Sequence, residues 1–312
     1  MTLRVFSDSR CLKHTVPQGF PEAPSRLERL LEGLTQARVE VHESGAHPKS
    51  DEAIAAVHSQ EYLQRFRDAV ASGELFLDTG DNPLSAGTWE ASLAAVDACL
   101  FTADWVAADK QRRGLAVVRP PGHHAEHAMA MGFCYLNNVA VSTEYLIRTY
   151  GFEKVALVDF DVHHGNGTQH LFEERGDVFY LSVHQHPLFP GTGLADERGY
   201  GEGIGATLNI PLPAGTDDQR LRQAIGEQLL PAIYDFRPDL MVVSAGFDAW
   251  QRDPVGGMRI SATAFAEWGR WLRKAADDLC DGRIFTTLEG GYDLTALGAL
   301  LVSYSRGMEE DL

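Results

Sequence analysis

Apolar positions along the chain gather into short dense runs separated by polar, glycine-rich and proline-rich stretches. Val155–Val158 is the plainest run, continuous rather than alternating, as expected of a strand buried on both faces. Similar runs at Leu115–Val118, Val178–Val183, Thr207–Ile210, Leu240–Ser244 and Ile284–Leu288 predict further strands. The first run extends as a strand to Phe160. Leu3–Ser7 predicts an earlier strand, and Val39 with Val41 a second, short one. Between these runs the period changes. Leu27, Leu30, Leu31 and Leu34 recur at helical spacing, with Ser25 or a neighbour as the cap. Residues 51–71 carry Ile54, Val57, Tyr62, Phe66 and Val70 at helical spacing. An alanine-rich helix is expected from about Trp89 to Ala107, and further helices near 134–149, 218–235 and 261–279. Such alternation indicates a mostly parallel sheet with helices on both faces. No linker, repeat or low-complexity stretch divides the 312 residues, so a single domain over 1–312 is expected.

The polar punctuation falls where the strands end. Arg119-Pro-Pro-Gly-His-His124 follows one, Asp159 to Gly167 another, Ala245-Gly-Phe-Asp248 a third and Glu289-Gly-Gly-Tyr292 a fourth. In open parallel sheets, ligands bind just outside the carboxyl ends of the strands. Asp161 and His163 are two apart, so on a strand they point to the same side. A carboxylate and an imidazole side by side are two ligands of a divalent metal site, although a lone Asp-x-His is more often a polar strand end. Asp248 is the natural third ligand; its bland alternative is a turn or helix cap. Two carboxylates and one imidazole suit zinc, and also ferrous iron, cobalt or manganese. Hydrolysis at such a site also needs a base, for which His123 and His124 are candidates, with Asp159 and Asn166 able to orient one each. Tyr292, after two glycines, can hydrogen-bond a developing oxyanion. Phe133 and Phe189 either line a channel or pack in the core.

Composition narrows the classes. The net charge of −17 disfavours direct binding to nucleic acid. No apolar run of about 18 residues exists, so no membrane helix is expected. Met1 to Asp8 lacks a signal-peptide layout, which makes the cytoplasm the expected location. Four scattered cysteines, Cys11, Cys99, Cys134 and Cys280, form no CxxC pair and read as buried free thiols. No GxSxG, Walker A or HExxH pattern occurs. Gly201-Glu-Gly-Ile-Gly-Ala206 precedes a strand rather than a helix, unlike a dinucleotide fingerprint.

Taken together, the blocks Arg119–Glu126, Gly132-Phe-Cys-Tyr-Leu-Asn-Asn138, Asp159-Phe-Asp-Val-His-His-Gly-Asn-Gly-Thr-Gln169, Phe189-Pro-Gly-Thr-Gly193, Ser244–Asp248 and Leu288–Tyr292 resemble the zinc-dependent histone deacetylase family, whose superfamily includes acetylpolyamine amidohydrolases. The resemblance implies the arginase–deacetylase α/β fold, with a central sheet of about eight strands. It implies one catalytic zinc on Asp161, His163 and Asp248, with tandem catalytic histidines His123 and His124; His124 is favoured as general base and acid, with His123 as the alternative donor to the leaving amine. Tyr292 would polarise the acyl carbonyl, and Asp159 would hold His123. Gly132, Phe133, Phe189, Val255, Gly290 and Gly291 would line an acyl-lysine tunnel. A potassium ion would sit near Asp159, Asp161, His163, Ser182 and Val183. Asn166 stands where class I members usually carry Asp, so the chain looks like class II and bacterial class II-like members. An amide cannot supply the negative charge that would raise the pKa of His124.

The resemblance also bears on substrate. Polyamine-selective class II relatives have a Glu in the segment that reads Asp253-Pro-Val-Gly256 here, and Val255 offers no salt bridge to a polyamine cation. The stretch before Ser85-Ala-Gly-Thr-Trp89 lacks the long insertion of bacterial polyamine amidohydrolases. Acyl-lysine peptides or proteins are therefore the expected substrates, with small acylated amines as the alternative, hydroxamates as expected inhibitors and an oligomer as possible. Two other readings compete: an arginase-like ureohydrolase, which would need two manganese ions, and a non-catalytic acyl-lysine binder.

Overall fold

The computed structural model of the chain describes residues 2–309. Among them the apolar runs form eight strands: β1 (Thr2–Ser7), β2 (Val41–Glu43), β3 (Arg112–Ala116), β4 (Val155–Asp159), β5 (Val178–Gln185), β6 (Thr207–Leu212), β7 (Leu240–Ala245) and β8 (Ile284–Leu288). All pair in parallel, in the order β2-β1-β3-β8-β7-β4-β5-β6. Every residue of β4, β5, β7 and β8 is buried. With no face left for polar side chains, these strands read as continuous apolar runs.

Ten α-helices accompany them: α1 (Pro24–Gln36), α2 (Ser50–Ala55), α3 (Gln60–Ser72), α4 (Thr88–Ala107), α5 (Asn138–Tyr150), α6 (Asn166–Phe172), α7 (Asp218–Ala224), α8 (Leu230–Phe236), α9 (Ala262–Leu279) and α10 (Leu297–Glu309). α4 covers β1, β3 and β8 while α5 covers β7; α9 and α10 pack on each other and cover β7 and β1 from the opposite face. The expected sheet between two helical layers is thus present. No described helix is long and apolar enough to cross a membrane. All four cysteines are buried free thiols.

Several local expectations change. Ser25 does not cap α1; Pro24 occupies its first turn and Ala23 makes no side-chain cap, which suits a proline whose missing N–H would lie unpaired there anyway. The helix expected over 51–71 is two helices. Ser59 breaks the run by capping α3, its side chain accepting from the Tyr62 amide. The 218–235 stretch stays helical but passes through a π turn at Ile225–Leu229. Asn166 and Gly167, at the end of the polar stretch after β4, begin α6. α10 was not anticipated, although Leu297, Leu300, Leu301, Tyr304 and Met308 recur at helical spacing and are buried.

The strand order positions the chemistry. β3, β8, β7 and β4 are neighbours at the sheet centre. Their ends lie level, with Ala116, Thr287, Ser244 and Asp159 in register across the sheet. The four polar signatures therefore emerge side by side along one rim. A buried ion cluster ties the N-terminal segment to that rim. Arg119 donates to both oxygens of Glu22 at 3.0 and 2.7 Å, and Arg26 donates to Glu22 Oε1 at 3.0 Å. All three side chains are buried. Arg26 also donates to the carbonyls of Glu289 and Gly291, at 2.6 and 2.7 Å, and Arg119 to those of Cys11 and His14. Burial alone would raise the Glu22 carboxyl, but Arg119 and Arg26 outweigh it and hold the group at about 2.

A carboxyl depressed in the folded state contributes stability above its unfolded value near 4.5, lost as pH falls toward 2. The shift corresponds to about 3 kcal/mol. Glu22→Gln should therefore destabilise the protein by about 3 kcal/mol at pH 7, because it leaves two buried guanidinium groups without their counter-charge. Urea unfolding at pH 7 and pH 3 checks this. The gap between wild type and variant should narrow at pH 3, and a gap that stays constant would show that Glu22 is not the group being titrated.

Candidate active site and metal centre

β4 ends at Asp159, and the chain bends through the next residues. Asp161 and His163 thus lie on the loop past the strand, and they converge there. Asp248 reaches them from the end of neighbouring β7. The candidate ligand atoms of Asp161, His163 and Asp248 all lie within 4.8 Å of one another. His163 Nδ1 is 3.0 Å from Asp161 Oδ1 and 3.3 Å from Asp248 Oδ2. Backbone amides hold the carboxylates in place: Asp161 accepts from His163 and Gly290 at 2.9 and 2.8 Å, and Asp248 Oδ1 from Val162 at 2.9 Å. Asp248 Oδ2 is buried without a hydrogen bond. Two desolvated carboxylates in such proximity repel each other and need a cation. Burial pulls the His163 imidazole down, but the two carboxylates outweigh it and raise it to about 10. Burial and the Asp161 charge push the Asp248 carboxyl up. The orphaned oxygen and the donor set of two carboxylates and one imidazole fit a zinc-like divalent ion.

The two adjacent histidines at the β3 end are built differently. His123 Nδ1 donates to Asp159 Oδ2 at 3.0 Å, an oxygen that also accepts from Tyr180. His124 Nδ1 faces Asn166 Oδ1 at 2.7 Å. The rings lie against each other, centroids 4.0 Å apart. Both are buried, yet they titrate in opposite directions. Burial lowers His123, but Asp159 and Asp161 overcome it and raise the imidazole to about 10. Burial, reinforced by His123 and His163, pushes His124 well below its ordinary value. Near neutral pH one imidazole is a cation and the other a neutral acceptor. Such a divergence separates electrostatic from acid–base roles.

A cavity of about 180 Å³ opens above these groups, lined by Gly132, Phe133, Phe189, Val255 and Tyr292 together with the three imidazoles. His123 and His124 are buried while Phe189 is 41% exposed, so the phenylalanine marks the mouth. Typical ligand clefts measure roughly 300–1,000 Å³, so this one suits a single narrow chain. A larger groove of about 590 Å³ runs beside β6 and α7, but none of the metal-ligating or histidine groups faces it. Gly132 and Phe133 both have positive φ, 59° and 67°. A Cβ on Gly132 would lie 2.3 Å from His124 Cδ2, so the wall can touch the imidazole only because the side chain is missing.

Tyr292 lines the cavity with its backbone fixed by Asp253, whose Oδ2 accepts from the Tyr292 amide at 2.7 Å. The Arg26 guanidinium lies 4.6 Å from the centre of its ring. Burial outweighs Arg26 and pushes the phenol well up, so it remains a hydroxyl donor. The Glu289 carboxylate accepts from the amides of Gly122 and His123 and from Ser244 Oγ, joining the ends of β8, β3 and β7.

Gly290 and Gly291 do not line the cavity, contrary to expectation. A Cβ on Gly290 would lie 2.1 Å from Asp248 Oδ2, so this glycine makes room for the carboxylates rather than for a ligand. Gly291, at φ 118°, packs on Phe247 and Leu297. Ser182 lies beside Asp159 on β5 and bonds to His184, and Val183 is buried next to it. Sequence reasoning missed Arg26, Asp253 and Glu289 as supports, and Asp81, which also lines the cavity. Asp253 and Glu289 stood within quoted motifs. Arg26 carried no signal, since an arginine among leucines reads as the edge of a solvated face.

Comparison with known proteins gives the family. The family model for the histone deacetylase domain matches residues 20–308. Histone deacetylase 10, chloroplastic, of Oryza sativa subsp. japonica is 37% identical over 300 residues, covering 90% of this chain and 68% of that protein. A histone deacetylase-like amidohydrolase of Pseudomonas aeruginosa is 38% identical over 275 residues, covering 87% and 71%. The crystal structure of the HDA15 HD domain aligns with a TM-score of 0.88 at 34% identity, over 98% of this chain and 91% of that one.

A divalent cation entering between Asp161, His163 and Asp248 must displace the proton that His163 holds up to about pH 10. Uptake should release about one proton per chain near pH 8.5 and more toward pH 6.5, where the Asp248 carboxyl, pushed up to about 7, also holds one, so affinity should rise by about tenfold per pH unit near pH 8.5 and more steeply below pH 7. Zinc calorimetry in buffers of different ionisation enthalpy measures both. Binding without proton release, or undiminished binding by Asp248→Asn, would show that the ion sits elsewhere.

Proposed function

The chain belongs to the histone deacetylase family, a family of hydrolases, and on that premise we propose that it is a zinc-dependent amidohydrolase removing acetyl or similar short acyl groups from lysine side chains of peptides or proteins. One observation carries the reading. The Asp161–His163–Asp248 cluster, a neutral His124 and the Tyr292 hydroxyl all meet at the inner end of a narrow apolar cavity.

A zinc ion held by those three ligands would polarise the acyl carbonyl and acidify a water beside it. The remaining work falls to the chain's own groups. His124, protonated at Nδ1 toward Asn166, presents Nε2 as the basic nitrogen and takes the proton of the attacking water. Tyr292 donates to the oxygen that gathers negative charge, and His123, held by Asp159, is fixed against the ring of the base. His124 then returns the proton to the leaving lysine amine as the C–N bond breaks, giving a carboxylic acid and a free amine, which pass a proton between them to leave as carboxylate and ammonium. Phe133 and Phe189 shield the aliphatic stem from water, which strengthens each of these electrostatic contacts. A potassium ion beside the β4–β5 row belongs to the same proposal.

Val255 supports lysine over polyamine, because it lines the cavity and presents no charge to a second ammonium. Asp81 on the same lining favours the alternative, a small acylated amine, since its carboxylate attracts cations. Only one group of three or more ligating side chains is found among the described residues, which favours a single-metal amidohydrolase over a two-manganese ureohydrolase.

Zinc-loaded protein should deacylate an acetyl-lysine peptide, be inhibited by a hydroxamate, and turn over acetylspermidine poorly. His124→Ala and Tyr292→Phe should each lower kcat by roughly 10²- to 10⁴-fold. Near-normal turnover in both variants would remove the mechanism. Turnover of acetylspermidine alone would keep the mechanism and overturn the substrate. Binding of acetyl-lysine peptide without product release would leave only a binding protein.

A further inference from the structure

Behind the base lies a connection that the metal cluster does not use. The Asn166 amide bonds at both ends: Oδ1 to His124 Nδ1 at 2.7 Å, and Nδ2 to Glu126 Oε1 at 2.5 Å. Glu126 is itself held at three points. Its amide donates to the Met129 carbonyl, and its two carboxylate oxygens lie 2.9 and 3.0 Å from His170 Nδ1. Asn166 and His170 both belong to α6, so one helix presents the amide and anchors the carboxylate behind it.

We propose that Glu126 is a positioning residue that fixes the orientation of the Asn166 amide and, through it, the tautomer of His124. The argument is one of donors and acceptors. An amide has a donor end and an acceptor end of nearly the same shape, whereas an ionised carboxylate only accepts. Glu126 therefore requires the NH₂ of Asn166 on its side, because a flipped amide would set two oxygens face to face with no proton between them. The carbonyl end then faces His124, and His124 must carry its proton on Nδ1. Its lone pair is left on Nε2. The other neighbours of Nδ2, the His124 carbonyl at 3.4 Å and Met131 Sδ at 3.3 Å, are too distant or too weakly accepting to select the orientation alone. The same device explains the contrast within the pair. His123 bonds directly to the Asp159 carboxylate, while His124 meets only an oriented dipole with the charge one group further away. His124 gains the tautomer without a full counter-ion beside it.

This inference rests on the proposed base role of His124, and its test separates the two. In ¹⁵N spectra of zinc-loaded protein labelled at histidine, with His124 signals assigned through a His124→Gln variant, wild type should show the proton on Nδ1. In Glu126→Ala the proton should move to Nε2 in a large fraction of molecules. kcat for an acetyl-lysine peptide should fall by roughly ten- to a hundredfold, with KM little changed. The double variant Glu126→Ala, Asn166→Asp supplies an acceptor that cannot be flipped. It should restore the Nδ1 proton and bring kcat back to within a few-fold of wild type. Retention of the Nδ1 proton in Glu126→Ala, or a double variant as impaired as the single one, would overturn the proposal. A wild type that deacylates nothing would defeat the proposed function, yet the tautomer readout would still decide the role of Glu126.

Discussion

Two carboxylates, Asp161 and Asp248, are buried within reach of one imidazole nitrogen, and their mutual repulsion is the constraint around which the molecule is built. Groups this close and this dry do not stay together without support. The support is mostly backbone: amides of Val162, His163 and Gly290 each hold one oxygen in place. Those amides belong to two loops, and the loops are fixed by charges further out. Glu289 ties the β8 end to the β3 and β7 ends, and Arg26 fastens the Glu289–Gly291 backbone from outside the sheet. Removing any of these would loosen the pair of carboxylates before it touched a residue of the chemistry.

The histidine pair shows how little sequence difference is needed to give two like groups unlike roles. His123 and His124 are neighbours, equally buried and in ring contact. The outcome is decided by what stands behind each ring, a carboxylate for one and an amide for the other. The second imidazole stays neutral because burial and the neighbouring His123 and His163 outweigh Asp161 and the Asn166 bond. The cavity above them adds shape: a narrow bore, walled by Phe133 and Phe189, leads to both rings at once.

Much of this was legible in the sequence for physical reasons, and the failures have reasons too. β4, β5, β7 and β8 could be read because burial on both faces leaves an uninterrupted apolar run. Asp161, His163 and Asp248 could be read because acidic and imidazole groups at the ends of such runs are costly unless they serve something. Strand order was beyond reach, since local pattern carries no information about which buried strand lies beside which. Glu22, Arg26 and Arg119 were invisible as a cluster for the same reason: each alone looks solvated, and only the fold brings them together. Gly290 was misread because a glycine beside a tyrosine suggests room for a ligand, whereas the space it leaves is filled by carboxylate oxygens.

The strand order also has a consequence for the chain during its synthesis. β2, β1 and β3 form one contiguous block of the sheet and β4, β5 and β6 another, while β7 and β8, last in the sequence, lie between them. Two half-sheets can assemble early, but each carries an open inner edge until the final third of the chain has been made. Gly122 and Glu289, which meet at the rim, are 167 positions apart. Pairings this distant close slowly, and unpaired apolar edges invite the wrong partner in the meantime. The last two strands are therefore a keystone. A newly made chain is most exposed to aggregation, and most in need of a chaperone, just before they arrive.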